Sequence, residues 1–436
     1  MKEKIYKLLL LISKSELVSK GSSALLFKIG GMLTIYLFHF VLARKIGAEA
    51  NGIFSTFYTI LSIFAVVAIL GMDTFLLKKI AQFNSKEQWA ELKEIYKKAL
   101  SLILIISISI ILVLQLLFTF GFFESYQQKN LIPYIVFSLL PFSILHINAE
   151  SFRAVKNIKL FSFFKNFSIF GIATIALFLV NDATVRMGVR SFVISVIILA
   201  ILSFLLWKKH LKNKDSILHE KFDNNNIIKE SFPMFLSGSL FLLLSWVDIL
   251  MLGYFNSQTD VGVYTITLKL AALCTVILFA ANTILGPKIS ELYHNNQMQI
   301  LAKTVQNTAK YTFLLSLPIF GVILLFPNFL LSLFGSEFNN KLATETLIIL
   351  SVGQMANVFF GAVIYILDMT GKQTISRNIL LFTSILNIAL NWHLIQIYGI
   401  KGAAIATAIS IFFWTILGAI AVKKYFNFYA FPIFKN

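Results

Sequence analysis

Five basic residues lie inside, or at the ends of, long apolar stretches of this sequence: Lys28, Arg153, Lys165, Lys269 and Arg377. A charge within an apolar segment of membrane-spanning length is costly and marks a functional site by default. Lysine binds phosphate as a point charge and arginine as a bidentate fork. Because these segments hold more basic than acidic residues, the five cations are predicted to bind an anionic substrate.

Each of these cations also has a simpler interpretation. Lys28 lies about seven residues into its stretch, and its long side chain is able to extend to the membrane interface. Arg153, Lys165 and Arg377 lie near stretch ends, where basic residues orient helices in the membrane. The sequence leaves both interpretations open.

Two aspartates are candidates for ion coupling or for a structural pair. Asp73, near the end of its stretch, suits a proton or cation site, or pairs with Lys78 or Lys79 at a helix end. Asp248 ends a polar stripe at helical spacing, and it lies at a depth similar to that of Lys269 in the next stretch. An ion pair between Asp248 and Lys269 is therefore predicted, either structural or lining a cavity.

The other reactive residues exclude most enzyme classes. The sequence contains no nucleophile–base pair, glycine-rich phosphate loop or metal-ligand cluster, and its six histidines are scattered without ligand spacing. Its one cysteine, Cys274, excludes a disulfide framework. We therefore expect a protein that is not an enzyme and that uses no cofactor or metal.

Membrane helices are the elements that must position these residues. Hydrophobic residues make up 58% of the chain and charged residues only 13%, whereas soluble domains carry about 25% charged residues. Runs such as 100–120 are apolar on every side, unlike the alternating strands of a barrel. The predicted fold class is an all-α integral membrane protein with about twelve spans. These spans are 21–43, 52–76, 99–120, 131–152, 160–180, 190–207, 231–253, 261–285, 311–331, 344–367, 376–397 and 402–422.

Two local features qualify this pattern. Pro318 and Pro327 interrupt the ninth span, which predicts a kink or a short re-entry there.

Residues 86–98 place Trp89 and Tyr96 on one apolar face opposite charged residues, which predicts a helix on the cytoplasmic membrane surface, or else a plain connector.

The charge distribution predicts the orientation. The net charge of +18 is spread in short clusters between apolar runs, which favours topological signals over nucleic-acid binding. The termini and even-numbered loops carry 28 of the 38 Lys and Arg, and the opposite loops carry 7. Both termini are therefore predicted on the cytoplasmic side of the membrane.

The two halves of the chain resemble each other. Gly52-Ile-Phe-Ser55 after the first span corresponds to Gly262-Val-Tyr-Thr265 in the second half, an offset of 210 residues. Because six spans separate the copies, the halves share one orientation, related by a pseudo-two-fold along the membrane normal. The predicted domains are an N-terminal lobe (1–207), a cytoplasmic linker (208–230) and a C-terminal lobe (231–436). Parallel repeats of this kind enclose a transport site at their interface.

Several motifs in this order resemble the polysaccharide (O-antigen type) flippases of the multidrug/oligosaccharidyl-lipid/polysaccharide exporter superfamily. They are Gly47-Ala-Glu-Ala-Asn-Gly52-Ile-Phe-Ser55, Leu70-Gly-Met-Asp-Thr-Phe75, Lys78-Lys-Ile-Ala81, Val261-Gly-Val-Tyr264, Gly286-Pro-Lys-Ile-Ser-Glu-Leu292, Leu333-Phe-Gly-Ser-Glu-Phe338 and Tyr398-Gly-Ile-Lys-Gly402-Ala-Ala. The resemblance implies two six-helix lobes, alternating access, and an undecaprenyl-pyrophosphate-linked oligosaccharide whose pyrophosphate is held by the five cations. It also implies a bacterial inner-membrane location, with membrane lipids, a polysaccharide polymerase and glycosyltransferases as partners.

Two other functions compete with this expectation. A cation-coupled multidrug exporter of the same superfamily would favour acidic and aromatic cavity residues. A membrane glycosyltransferase or polymerase would need catalytic carboxylates or histidines and a large periplasmic loop, whereas the predicted periplasmic loops are short.

Overall fold

A computed structural model describes residues 16–122, 129–179, 184–212, 214, 217 and 222–432. Every regular element within these residues is helical, and no strand occurs among them. The chain forms two compact units. Unit 1 runs up to Val41 and then from Ile60 to Leu236, and unit 2 comprises Leu42–Thr59 and the chain from Ser237 onwards. Residues 42–59, which were expected in the N-terminal lobe, thus pack in unit 2.

The helices of the first half are α1 (Glu16–Ile46), α2 (Ala48–Ile69), α3 (Met72–Ser85), α4 (Trp89–Thr119), α5 (Ile132–Ala154), α6 (Ile158–Ser162), α7 (Ser168–Leu179) and α8 (Met187–Leu211). Those of the second half are α9 (Asn224–Phe255), α10 (Gln258–Ala272), α11 (Val276–His294), α12 (Met298–Leu325), α13 (Pro327–Ser332), α14 (Lys341–Phe360), α15 (Val363–Met369) and α16 (Gln373–Phe426).

Helix α5 lies at the centre of unit 1, where it packs against α3, α4 and α8. On its apolar face, the ring centroid of Phe142 lies 6.0 Å from that of Phe192 on α8. A buried polar chain crosses the same core: the Tyr96 hydroxyl donates to Asn148 Oδ1 at 2.5 Å, and Asn148 Nδ2 donates to Ser203 Oγ at 2.9 Å. Since unpaired polar groups are costly in an apolar interior, these bonds fix the rotation of α5 against its neighbours.

The prediction of a membrane-surface helix over residues 86–98 is wrong. Helix α4 begins at Trp89 and continues without a break to Thr119, and Leu92 and Ile95 are fully buried. A helix of this length extends about 46 Å, more than the roughly 30 Å of hydrocarbon that it must cross. Its first turns therefore bury their apolar face against α3 and α5 rather than against lipid headgroups.

Helix α14 is the corresponding centre of unit 2 and packs against α10, α12 and α16. A buried cluster joins Ile289, Ile366 and Val422 from three helices. The chain beyond α16 folds back onto this cluster, where Phe428 is buried and Gln306 Nε2 donates to the Tyr429 carbonyl at 3.0 Å. The segment after the last helix is thus part of the core of unit 2.

Backbone breaks divide several of the predicted spans. The second span breaks at Leu70 and Gly71, which both adopt left-handed conformations between α2 and α3. In the ninth span, Pro318 lies inside the continuous helix α12, and the break occurs at Pro327, where α13 begins. The expected interruption is therefore located at the second proline alone.

Each of the twelve predicted spans falls on one or more helices. Within the described residues, eight helices are long and apolar enough to cross a membrane, or nine if the bent pair Ile158–Lys165 and Ser168–Leu179 is one span. One of the eight, α16, has 54 residues and a non-helical Gly399 within it. It accounts for the predicted spans 376–397 and 402–422, so the count of twelve stays a prediction.

The two glycines of the predicted repeat meet inside unit 2. A Cβ atom on Gly52 of α2 would overlap the carbonyl oxygen of Gln258, and one on Gly262 of α10 would overlap that of Ala48. The contact is reciprocal, so α2 and α10 cross at bare backbone. Only glycine permits so close an approach at both positions.

Cysteine labelling tests the predicted orientation. In a Cys274→Ala background, a cysteine at Thr259 is expected to react with a membrane-impermeant maleimide added outside, and one at Asn225 only after permeabilisation. Both native side chains are exposed, whereas the Ser257 hydroxyl caps α10 and is better left intact. Labelling of the Asn225 position in intact cells, with protection at Thr259, would invert the predicted topology.

Candidate functional site

Two of the predicted cations meet on one carboxylate in unit 1. Lys165 Nζ lies 3.1 Å from Glu150 Oε1, and Arg153 Nη1 lies 3.4 Å from Glu150 Oε2. The Lys165 ammonium also lies 3.2 Å from His146 Nδ1. Because an ammonium only donates, the imidazole accepts through Nδ1 and is neutral in this arrangement.

Exposure differs sharply between the acid and the bases of this cluster. The side chain of Glu150 is 10% exposed, that of Lys165 27% and that of Arg153 49%. The Arg153 guanidinium also lies over the Phe161 ring, 5.2 Å from its centroid. The cluster therefore presents two cations outward from a buried carboxylate, an arrangement that is able to receive a further anion.

Local backbone irregularities bring these side chains together. Helix α5 ends at Ala154, and Lys156 takes a left-handed conformation between α5 and α6. Asn157 then caps α6 by accepting from the Leu160 amide at 3.2 Å. After one and a half turns the helix widens to π-helix over Phe163–Phe167, the segment that carries Lys165. Such bulges shift the register of side chains and recur at functional sites.

Two of the other predicted cations belong to unit 2. Lys269 lies on α10 and is partly buried, and Arg377 is exposed near the start of α16, both in unit 2. The backbone of Lys28 belongs to α1, but its side chain lies outside the described residues. A shared role for all five cations therefore stays a prediction.

Among the described residues, Asp73 forms hydrogen bonds only with its neighbour in sequence, Thr74. Its carboxylate accepts from the Thr74 amide at 2.7 Å, in the first turn of α3. Negative charge is favourable at this end of a helix. Lys79, one of the two expected partners of Asp73, instead lies 3.0 Å from Glu230.

Asp248 is buried in unit 2 and accepts hydrogen bonds from neutral donors. Its Oδ2 accepts from the Tyr264 hydroxyl at 2.6 Å and from the Thr407 hydroxyl, and its Oδ1 accepts from Asn391 Nδ2 at 2.7 Å. These three bonds, rather than the expected ion pair with Lys269, satisfy the carboxylate. Among the described residues, Asn391 Oδ1 is buried beside it without a hydrogen-bond partner.

A cavity of about 310 Å³ opens beside Asp248 within unit 2. Its walls carry hydroxyl and amide groups, two aromatic rings and apolar side chains: Leu268, Ala272, Thr275, Phe279, Gln354, Asn357, Asn387, Thr407, Ser410, Ile411 and Trp414. Asp248 is the one charged residue among the described residues that line it. This cavity suits a cation or a neutral polar ligand better than an anion.

The sequence analysis did not identify the polar side chains that hold the Lys165–Arg153 cluster and the surroundings of Asp248 together. Glu150 is the single acid of the predicted span 131–152 and lies one helical turn before Arg153, a spacing that favours contact. Asn387 and Asn391 likewise repeat at four residues within an apolar run, on one helical face. Both signals were present, as polar residues at helical spacing in otherwise apolar segments.

Comparison with known protein families places the chain. The sequence profile of the family described as polysaccharide biosynthesis protein matches residues 17–293, and the MatE profile matches residues 233–393. The chain belongs to the polysaccharide biosynthesis protein family. The resemblance drawn from the sequence motifs is thereby confirmed at family level.

Individual relatives agree with this assignment. The chain is 31% identical over 179 residues to the "Probable low-salt glycan biosynthesis flippase Agl15" of Haloferax volcanii, a match that covers 40% of this chain and 37% of that protein. Its matches to the curated relatives Agl15, MJ1068 and AglR span about half of their length or less.

Solved structures share the fold. The inward closed conformation of the lipid II flippase MurJ superposes with a TM-score of 0.71 at 14% identity, covering 91% of this chain and 87% of that one. An inward-facing multidrug resistance MATE family transporter of the MOP superfamily gives 0.69 at 15% identity, covering 91% and 94%. The predicted all-helical membrane fold class is confirmed.

Proposed function

We propose that the protein is a flippase that moves a lipid-linked oligosaccharide across the bacterial inner membrane by alternating access. The proposed substrate is an O-antigen or related repeat unit joined to undecaprenol through pyrophosphate. The observation that carries the proposal is the convergence of Lys165 and Arg153 on one partly exposed site in unit 1. The family assignment and the glycan flippase named among the relatives support it.

The physical requirement for such a site comes from the headgroup. A pyrophosphate carries at least two negative charges, and moving them through hydrocarbon without counter-charges has a prohibitive solvation cost. A lysine and an arginine supply two positive charges together with several N–H donors. Lys28, Lys269 and Arg377 are proposed as further cationic positions on the substrate path.

Energy coupling is proposed at Asp248. A buried carboxylate beside amide and hydroxyl oxygens offers a base that is able to accept a proton, or the oxygen ligands that a small hard cation requires. The unpartnered Asn391 Oδ1 adds one more oxygen to this set. Asp73 is a weaker candidate, because its described contacts are those of a helix N-terminus.

A second function, cation-coupled export of small molecules, is favoured by one observation. The cavity in unit 2 combines one carboxylate with the rings of Phe279 and Trp414, which suits an amphipathic cation. The paired cations of unit 1 do not suit such a substrate, so the flippase is the better-supported function. Glycosyltransferases that build the lipid-linked unit, and a polymerase that consumes it, are the proposed functional partners.

Neutralising the unit 1 cations tests the proposal. Lys165→Gln and Arg153→Gln are each expected to reduce flipping of a pyrophosphate-linked oligosaccharide in proteoliposomes at least about tenfold, because each removes a charge-assisted contact. Lys159→Gln is the matched control, since Lys159 is exposed and only six residues from either cation. Protein abundance is compared in parallel.

The two candidate functions give different outcomes in this assay. Equal transport by the Lys165, Arg153 and Lys159 variants would contradict the flippase site in unit 1. Gradient-dependent efflux of a cationic dye by the wild type, unaffected by the Lys165 change, would support the exporter instead.

A further inference from the structure

Glu150 is an unexpected neighbour for an anion-binding site. Its carboxylate is buried and each of its oxygens bonds to a different cation, Oε1 to Lys165 and Oε2 to Arg153. A fixed negative charge at this distance repels any further anion that those cations receive. A site selected only for tight binding of pyrophosphate would place a neutral hydrogen-bond acceptor here.

The arrangement is built rather than incidental. Lys165 reaches Glu150 from the π-helical segment Phe163–Phe167, and Arg153 reaches it from one turn along α5. His146, one turn before Glu150 on α5, bonds to the same ammonium. Three positions on two helices therefore hold the carboxylate between the cations.

We propose that Glu150 is a resident competing anion, which occupies Lys165 and Arg153 when the site is empty and limits their affinity for the substrate pyrophosphate. The inference rests on the proposed function, because it assumes that these two cations receive the headgroup. A carrier must release its cargo on the far side of the membrane, and a site that binds too tightly slows that release. The internal carboxylate keeps the two cations paired and oriented between cycles, and its charge weakens the complex from which substrate departs.

This role predicts an effect in the opposite direction to loss of a structural ion pair. Glu150→Gln keeps the shape of the side chain and one oxygen acceptor but removes the charge. Pyrophosphate is therefore expected to bind at least about tenfold more tightly, while turnover of lipid-linked oligosaccharide falls because release becomes slow. Lys165→Gln is expected to weaken pyrophosphate binding by a similar factor.

The experiment uses the full chain in lipid nanodiscs, with inorganic pyrophosphate titrated by calorimetry and flipping measured in proteoliposomes. Glu345→Gln is the matched control, because Glu345 forms a partly exposed pair with Lys401 in unit 2. Glu150→Asp serves as a second variant: it retains the charge but withdraws it by one methylene, and is expected to tighten binding by a smaller factor.

The outcomes separate this inference from the proposed function. The role of Glu150 would be overturned if the wild type binds pyrophosphate, Lys165→Gln binds it more weakly, and Glu150→Gln binds it no more tightly than the wild type. The flippase site would stand in that case. Absence of wild-type pyrophosphate binding, with normal flipping by Lys165→Gln, would overturn the site itself. If Glu150→Gln fails to fold, unchanged or weaker binding by Glu150→Asp overturns the inference in its place.

Discussion

Gly52→Ala is expected to destabilise unit 2 by about 3 kcal/mol or more, and Gly262→Ala is expected to do the same. The added methyl group would overlap the Gln258 carbonyl in the first variant and the Ala48 carbonyl in the second. Backbone cannot rotate away as a flexible side chain does, so α2 and α10 must separate. Overpacking in a well-packed core typically costs about 1–3 kcal/mol, and an overlap with backbone lies at or above the top of that range.

Gly321→Ala is the matched control for these two changes. Gly321 lies inside α12, and a Cβ atom there would meet nothing within 4 Å. Alanine is favoured over glycine in a helix interior by about 0.5–1 kcal/mol, so this variant is expected to be slightly stabilised. Thermal unfolding in detergent, together with abundance in membranes, measures the difference.

The double variant, with Gly52→Ala and Gly262→Ala combined, tests whether the two glycines lie in one contact. Since Gly52 and Gly262 lie in one contact, separating the helices once relieves both overlaps, and the combined cost is expected to be less than additive. Wild-type thermal stability in either single variant would show that the two helices do not cross at these glycines.

The positions of the helices could be predicted from the sequence because apolar length is a direct property of residue type. Each predicted span falls on one or more helices, and the Gly52 and Gly262 motifs were recognisable as a repeat. Their packing against each other was not recognisable, because a repeat defines equivalent positions and not contacts. The left-handed break at Leu70 and Gly71 was also missed, since apolarity continues through it.

The candidate sites were predicted less completely, because partners depend on helix rotation as well as on depth. Asp248 and Lys269 lie at similar predicted depths, yet Asp248 faces Tyr264 and Thr407. Glu150 was not among the predicted site residues, because an anionic substrate indicates cations as its ligands, although the spacing of Glu150 to Arg153 indicated a contact. The face of α4 that contains Leu92 was assigned to the membrane surface, since an apolar helix face does not itself specify whether lipid or protein covers it.

Asp248→Asn is expected to abolish the response of the protein to its coupling cation while leaving the fold intact. The amide oxygen can accept from Tyr264 and Thr407, as Oδ2 does now. The new amide nitrogen would face Asn391, which is able to turn its unpartnered Oδ1 toward it. The hydrogen bonds to residue 248 are thus retained, at the loss of the bond from Asn391 Nδ2 to Asn387 Oδ1, and the substitution removes the charge.

The measurement is thermal unfolding of the purified protein as sodium replaces choline, and separately as pH is lowered. A ligand present at 100 times its Kd stabilises the folded state by about 2.7 kcal/mol, a rise of several degrees in Tm for a unit of this size. One of the two cations is expected to produce this rise in the wild type and in the control variant Glu345→Gln, which changes a partly exposed acid of the same unit.

In Asp248→Asn the rise should disappear, and gradient-driven transport should fall at least about tenfold. The decisive comparison is between the Tm itself and the change in Tm with sodium or pH. Loss of a purely structural carboxylate would lower the Tm without altering its dependence on sodium or protons. Survival of the full cation-dependent shift in Asp248→Asn would therefore assign Asp248 to the packing of α9 against α10 and α16. Loss of the shift at near wild-type Tm would identify the carboxylate as the group that the coupling ion binds.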